Sequence, residues 1–148
     1  MKKNNIKTTL IIVIGLALFV GLSFLIKTNG PGPKVEKEYI VSEWLEDSKG
    51  EEPVVTVIGM STCGHCQSYK PVIEKLAEEK GFKLYFFESD LLPQNEATMI
   101  ETTYELNAYE GYVPFTYIVQ NGVVIAENTG YKDKETVVDF LKQNGVIK

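Results

Sequence analysis

The longest apolar run lies near the start: Leu10 to Ile26, LIIVIGLALFVGLSFLI, holds no charge, and Thr8 and Thr9 extend it to 19 uncharged residues. As a helix, that run would be roughly 28 Å long, about the thickness of a bilayer's hydrocarbon core. A soluble helix would show a polar face, and here only Ser23 interrupts the pattern. The run exceeds a usual signal-peptide core, and Lys27-Thr28-Asn29-Gly30-Pro31-Gly32-Pro33 carries no A-x-A-like cleavage site. No cysteine follows for a lipid anchor. The pattern predicts a short tail and transmembrane anchor over 1–27, a Gly/Pro linker over 28–37 and a globular domain over 38–148.

Within that domain the period alternates between strand and helix. Ser42 is placed to cap a short helix carrying Trp44 and Leu45 that ends near Ser48-Lys49-Gly50. Val54-Val55-Thr56-Val57-Ile58 is a β-branched run suited to a strand covered on both faces, and Gly59 ends it. From Cys63 the spacing turns helical, with Val72, Ile73, Leu76 and Ala77 as the apolar stripe and Gly81 as the stop. Lys83 to Phe87 reads as a second strand. Ala97, Ile100 and Tyr104 predict a helix over 95–107. Phe115–Val119 and Val123–Ala126 flank Asn121-Gly122, a hairpin signal. A last helix starts near Asp133 and buries Val137, Phe140 and Leu141 before Asn144-Gly145. The order predicts an α/β domain with one core.

Charge narrows the functions. Residues 34–148 hold 11 Lys against 20 Asp and Glu, a net charge of −9, and the chain has no arginine. Such a surface repels phosphate backbones, so no nucleic-acid partner is expected. Lys2, Lys3 and Lys7 precede the apolar run and Lys27, Lys34 and Lys37 follow it, a slight bias only. The very short tail favours an amino end inside and the domain outside, where disulfides form and persist.

The candidate chemistry sits in Met60-Ser61-Thr62-Cys63-Gly64-His65-Cys66, which holds both cysteines and the single histidine of the chain. Cys63 falls at a helix amino end, where free N–H groups and the helix dipole stabilise an anion, and the thiolate is the nucleophile of thiol exchange. Cys66 lies one turn on, on the same side. One thiol can then attack and the other resolve the mixed disulfide. A protonated His65 nearby would favour the reduced form. Zinc needs four ligands, and one knuckle supplies too few, so neither metal nor cofactor is expected. A staple in a non-catalytic binding module, or a metal bridged between two chains, remains open.

With strand, Cys-Gly-His-Cys and helix in this order, residues 38–145 resemble the thioredoxin superfamily. Pro71 stands five residues after Cys66, where thioredoxins carry a helix-kinking proline. Val113-Pro114 precedes the strand Phe115-Thr116-Tyr117-Ile118-Val119 at the place of the family's cis-proline loop. Asn121-Gly122 and Gly130 match its turn and late glycine, and the Gly-His dipeptide is similar to that of disulfide isomerases.

The resemblance implies a mixed sheet flanked by helices and a cis Val113–Pro114 bond packed against the disulfide. It also implies a Val113 backbone that pairs with extended substrate. The function it implies is thiol–disulfide exchange on protein or peptide cysteines. Cys63 attacks, Cys66 resolves and His65 tunes, with an unidentified partner recharging the pair.

Three departures stand out. Val57 occupies the place of the family's buried Asp or Glu, Thr62 that of its Trp, and Leu91–Tyr112 is a longer connection. Those residues, with Tyr104, Tyr109 and Tyr112, form either a packed helix or a wall beside the site. The anchor and motif also resemble the thioredoxin-like accessory proteins of Gram-positive bacteriocin export. That implies a bacterial single-pass membrane protein.

Overall fold

The computed structural model describes residues 38–148 of the chain. The expected membrane anchor and linker lie outside the described residues, among which no helix is long and apolar enough to cross a membrane.

A four-stranded sheet divides the domain. Its strands are β1 (Val54–Gly59), β2 (Lys83–Glu88), β3 (Phe115–Gln120) and β4 (Val123–Thr129), in the spatial order β2-β1-β3-β4. β1 runs parallel to β2, with Val57 opposite Phe86 and Gly59 opposite Glu88. It runs antiparallel to β3, with Ile58 opposite Phe115, and β3 and β4 form the expected hairpin. At its turn Asn121 and Gly122 both have positive φ, 53° and 74°, which the primed two-residue turn demands.

Every residue of β1 is buried, because both faces of the sheet are covered. On one face α1 (Glu38–Asp47) and α3 (Gln94–Thr102) close over Val54, Ile58, Phe87, Phe115, Tyr117 and Val119. Trp44 is the centre of that layer. Its Nε1 donates to Thr56 Oγ1 at 3.0 Å, and its ring meets Phe87 and Tyr104 edge-on, each at 5.7 Å. On the other face α2 (Gly64–Lys80) and α4 (Lys134–Gln143) pack on Val55, Val57 and Ile118 through Tyr69, Ile73, Leu76, Val137 and Leu141. α2 is the crossover joining the two parallel strands. It starts at Gly64, runs through Pro71 and ends where Gly81, at φ 71°, donates to Ala77 O at 2.8 Å. Asp133 caps α4 by accepting from Thr136 N–H at 2.9 Å.

Three expectations need correction. Ser42 does not cap the first helix; α1 begins at Glu38, and Ser42 lies within it, exposed. The helix expected over 95–107 stops at Thr102. Beyond it Tyr104, Leu106 and Tyr109 still pack against the core, but from irregular backbone. Apolar residues at helical spacing there reflect contact with the core rather than a helical period. Phe140 is half-buried, while Val137 and Leu141 are fully buried.

Candidate functional site

The site forms where β1 ends and α2 begins, a turn held by side chains distant in sequence. Asp90 Oδ1 accepts from Ser61 N–H at 2.7 Å and Oδ2 from Ser61 Oγ at 2.5 Å. Gln67 Nε2 donates to Ser61 O at 2.7 Å, and Ser89 Oγ to Gly59 O at 3.2 Å. These contacts fix the path of Met60-Ser61-Thr62 and so the direction in which α2 leaves the sheet.

Cys63 is the N-cap of α2, with an extended backbone at φ −85° and ψ 115°. Its Sγ accepts the Cys66 N–H at 3.2 Å, taking the role a Ser or Asp oxygen plays at other helix starts. The sulfur is half-buried and lies 3.8 Å from Val113 O. The Val113–Pro114 bond is cis, and Pro114 is buried. Pro114 O in turn accepts from Gly130 N–H at 2.8 Å, which ties this loop to the end of β4. The structure therefore brings together Cys63, Cys66, Val113 and Pro114, which come from segments about fifty residues apart in sequence.

Cys66 faces inward and is 2% exposed. Burial, reinforced by the hydrogen bond with the Cys63 side chain, pushes its thiol up to about 11. Beside it lies Gly59, whose missing side chain leaves room for the Phe86 ring. Val57, in the place of the family carboxylate, is fully buried among apolar residues. The Lys70–Glu88 ion pair, 3.1 Å long, is only partly buried, and Lys70 Nζ stands 5.3 Å from the Phe86 ring centre.

His65 points outward and is exposed. Its ring stacks loosely on Tyr131, at 6.5 Å and 30°, and Tyr131 meets Tyr69 edge-on at 6.0 Å. Tyr69 Oη and Thr116 Oγ1 share a buried hydrogen bond of 3.2 Å. Of the three tyrosines in the long connection, Tyr104 and Tyr109 are half-buried against the core, and only Tyr112 stands out, 66% exposed. Among the described residues, no three His, Cys, Asp or Glu side chains gather as a metal-binding set.

Sequence reasoning placed both cysteines and the proline loop, but missed Asp90, Gln67, Phe86 and Tyr131. Only Gln67, six residues from its partner, is near in sequence. Ser61 and Asp90 are 29 apart, and the signal that could have linked them is an Asp just after a second parallel strand.

This is a thioredoxin-like α/β fold with a dithiol at a strand-to-helix junction. The thioredoxin family pattern matches residues 41–143, and the chain belongs to that family. It is similar to the mitochondrial thioredoxins of Mus musculus and Bos taurus, each 29% identical over 93 residues, 63% of this chain and 52% of theirs. The chain thus spans about half the length of these curated relatives. Among solved structures, Chlamydomonas reinhardtii thioredoxin f2 superposes with a TM-score of 0.57 at 16% identity, over 73% of this chain and 94% of that one. A thioredoxin of Halobacterium salinarum gives 0.52 at 23% identity, over 68% and 81%. At these identities, the two superpositions speak for the fold.

Proposed function

We propose that this chain is a membrane-tethered thiol–disulfide oxidoreductase, acting outside the cytoplasm on protein or peptide cysteines. The observation that carries the reading is the Cys63 sulfur. It caps α2, accepts the Cys66 N–H, stays half-buried rather than sealed, and lies beside Val113 O on the cis-proline loop. Membership of the thioredoxin family supports thiol–disulfide redox chemistry at such a pair. The apolar run over 10–26 supports the tether.

In this mechanism a substrate segment lies extended along Val113, pairing with its backbone. Cys63 thiolate attacks the substrate disulfide while the helix N–H groups stabilise its charge, and Cys66 resolves the mixed disulfide. His65, on the first turn of α2 between the two cysteines, tunes the pair. A separate redox partner resets the dithiol after each turnover.

Replacing Cys63 with Ala tests the reading: disulfide exchange with a peptide substrate should vanish. Exchange at the wild-type rate in that variant would refute it. A non-catalytic module with the cysteines as a staple predicts instead that native reduced protein resists alkylation at pH 7. The direction of electron flow follows from the potential of the pair. A value near about −180 mV marks a disulfide donor or shuffler, and one near about −270 mV a reductant.

A further inference from the structure

Resolution of a mixed disulfide requires Cys66 to lose a proton, and the surroundings of this thiol decide how easily. From β1, Gly59 lies against it and Val57 shares the face of the strand toward which a Gly59 side chain would point, and neither titrates. Gly59 is close enough that a Cβ there would lie 3.5 Å from Cys66 Cβ and 2.9 Å from the Phe86 ring. Phe86, from β2, pairs with Val57 and shares its face of the sheet. Glu88 is next on that face, opposite Gly59, but its carboxylate is bound to Lys70, whose ammonium lies against the Phe86 ring. From α2 itself come Cys63, which takes the Cys66 N–H, and His65, which turns outward to Tyr131. Tyr69 is committed to Thr116, Asp90 holds Ser61 through both carboxylate oxygens, and the loop contributes Val113 and Pro114. The floor beneath Cys66 is a valine, a glycine and a phenylalanine.

Resting on the redox reading above, we propose that this domain retains its substrates as a persistent mixed disulfide on Cys63, because among the described residues the strand groups set against Cys66, Gly59 and Phe86, can take no proton. In the first step Cys63 thiolate attacks one sulfur of a substrate disulfide. A Cys63–substrate S–S bond forms, the substrate S–S bond breaks, and the other substrate sulfur leaves as a thiolate. In the second step Cys66 gives its proton to solvent and attacks the Cys63 sulfur. The Cys63–Cys66 bond forms, and the retained substrate sulfur leaves with the electron pair. Only the second step waits on Cys66.

The delay follows from the thiol's burial. In the free dithiol, burial and the Cys63 side chain raise this thiol from 9.0 to about 11. In the mixed disulfide the Cys63 contribution is gone and burial, the larger cause, remains, so the thiolate is depleted by up to ~100-fold at neutral pH. Its greater nucleophilicity recovers part of this, leaving resolution slower by up to about tenfold. The covalent complex then outlasts the encounter, as suits a protein that holds or reshuffles a cysteine-bearing chain rather than turning over quickly.

The test uses the full reduced chain in detergent with an aromatic disulfide, dithiobis(nitrobenzoate), followed by stopped flow. Each step releases one coloured thiolate. At pH 7 the second release should lag the first by up to about tenfold and rise ~tenfold per pH unit toward pH 9. Cys66→Ser should stop after the first release with the adduct intact. Val57→Asp should accelerate the second release and flatten its pH slope, with the gain confined to that step. If that variant does not fold, the wild-type pH series still decides. Two releases of equal rate, without a pH slope, would overturn the proposal. A second release that matches the first in wild type but collapses in Glu88→Gln would also overturn it, by making Glu88 the acceptor. No first release at all would refute the redox reading itself, and the retention with it.

Discussion

Gly59 is the position where fold and chemistry press hardest on each other, and Gly59→Ala measures that pressure. An added methyl would meet the Phe86 ring at 2.9 Å, closer than real Cβ atoms come, and at 3.1 Å, so the ring must move. Overpacking of this kind costs about 1–3 kcal/mol. Against it, alanine restricts the unfolded chain and gains about 0.5–1 kcal/mol over glycine within a strand. Gly59 is not among the positive-φ glycines, so no backbone strain adds to the sum. The net loss should be about 0–2.5 kcal/mol, or up to roughly 10 °C in melting temperature at about 4 °C per kcal/mol. Trp44 is the only tryptophan and is fully buried, so urea unfolding followed by its fluorescence reports the domain directly. Phe86→Leu should cost stability alone yet relieve the alanine. The double variant should be more stable than the sum of the two losses by about 0.5 kcal/mol or more, the coupling expected of touching residues. Strict additivity of the two substitutions would refute the claim that Gly59 is glycine because Phe86 fills its space.

Thr56→Val should lower stability by about 1–3 kcal/mol in urea unfolding, because it leaves the buried Trp44 N–H without its acceptor, while Thr56→Ser should stay near wild type. The Asp47 carboxylate accepts hydrogen bonds from Lys83 and Tyr85, which hold it below the usual carboxylate range. Its stabilisation is therefore present above about pH 3.9 and lost as pH falls through the lower folded value. Asp47→Asn should flatten the acid limb of the stability curve, and an unchanged limb would show the pair to be idle. His65→Pro, in the first helical turn where proline is tolerated, should make the pair more reducing, toward about −270 mV. An unaltered potential in glutathione buffers would make His65 a bystander.

Elements whose cause is local were legible in the sequence. β1 was visible because burial on both faces requires an unbroken apolar run, and Val54–Ile58 supplies one. The hairpin was visible because Asn-Gly is one of the few dipeptides that suit a turn with two positive φ angles. The ends of α2 were visible because Cys63 and Gly81 hold cap positions. The misreadings share one physical origin. Ile100 and Tyr104 have helical spacing, but the backbone leaves the helix at Thr102, and Tyr104 reaches Trp44 from an irregular segment. A pattern of apolar residues records that they meet the core, not the backbone path that takes them there. Ser42 failed likewise: a good cap residue is also an ordinary exposed residue within α1, and Val41 and Trp44 carry the helix back to Glu38.

For the site the same distinction separates chemistry from its setting. The sequence displays the dithiol, because spacing of three residues is itself the geometry that sets the Cys66 N–H on the Cys63 sulfur. What surrounds the pair comes from elsewhere. Phe86 and Glu88 arrive through the parallel register of β2, Val113 through the loop before β3, and Tyr131 through the end of β4. None of these is implied by neighbours in the chain. Val57 shows why this matters: alone, it records only a missing carboxylate. Its meaning appears once the register places Phe86 beside it, while Glu88 pairs with Lys70, whose ammonium stands over the ring. A charge moved along the strand could still have served Cys66. A carboxylate already paired with a lysine is poorly placed to do so, and that contrast turns a departure from the family pattern into a statement about rate.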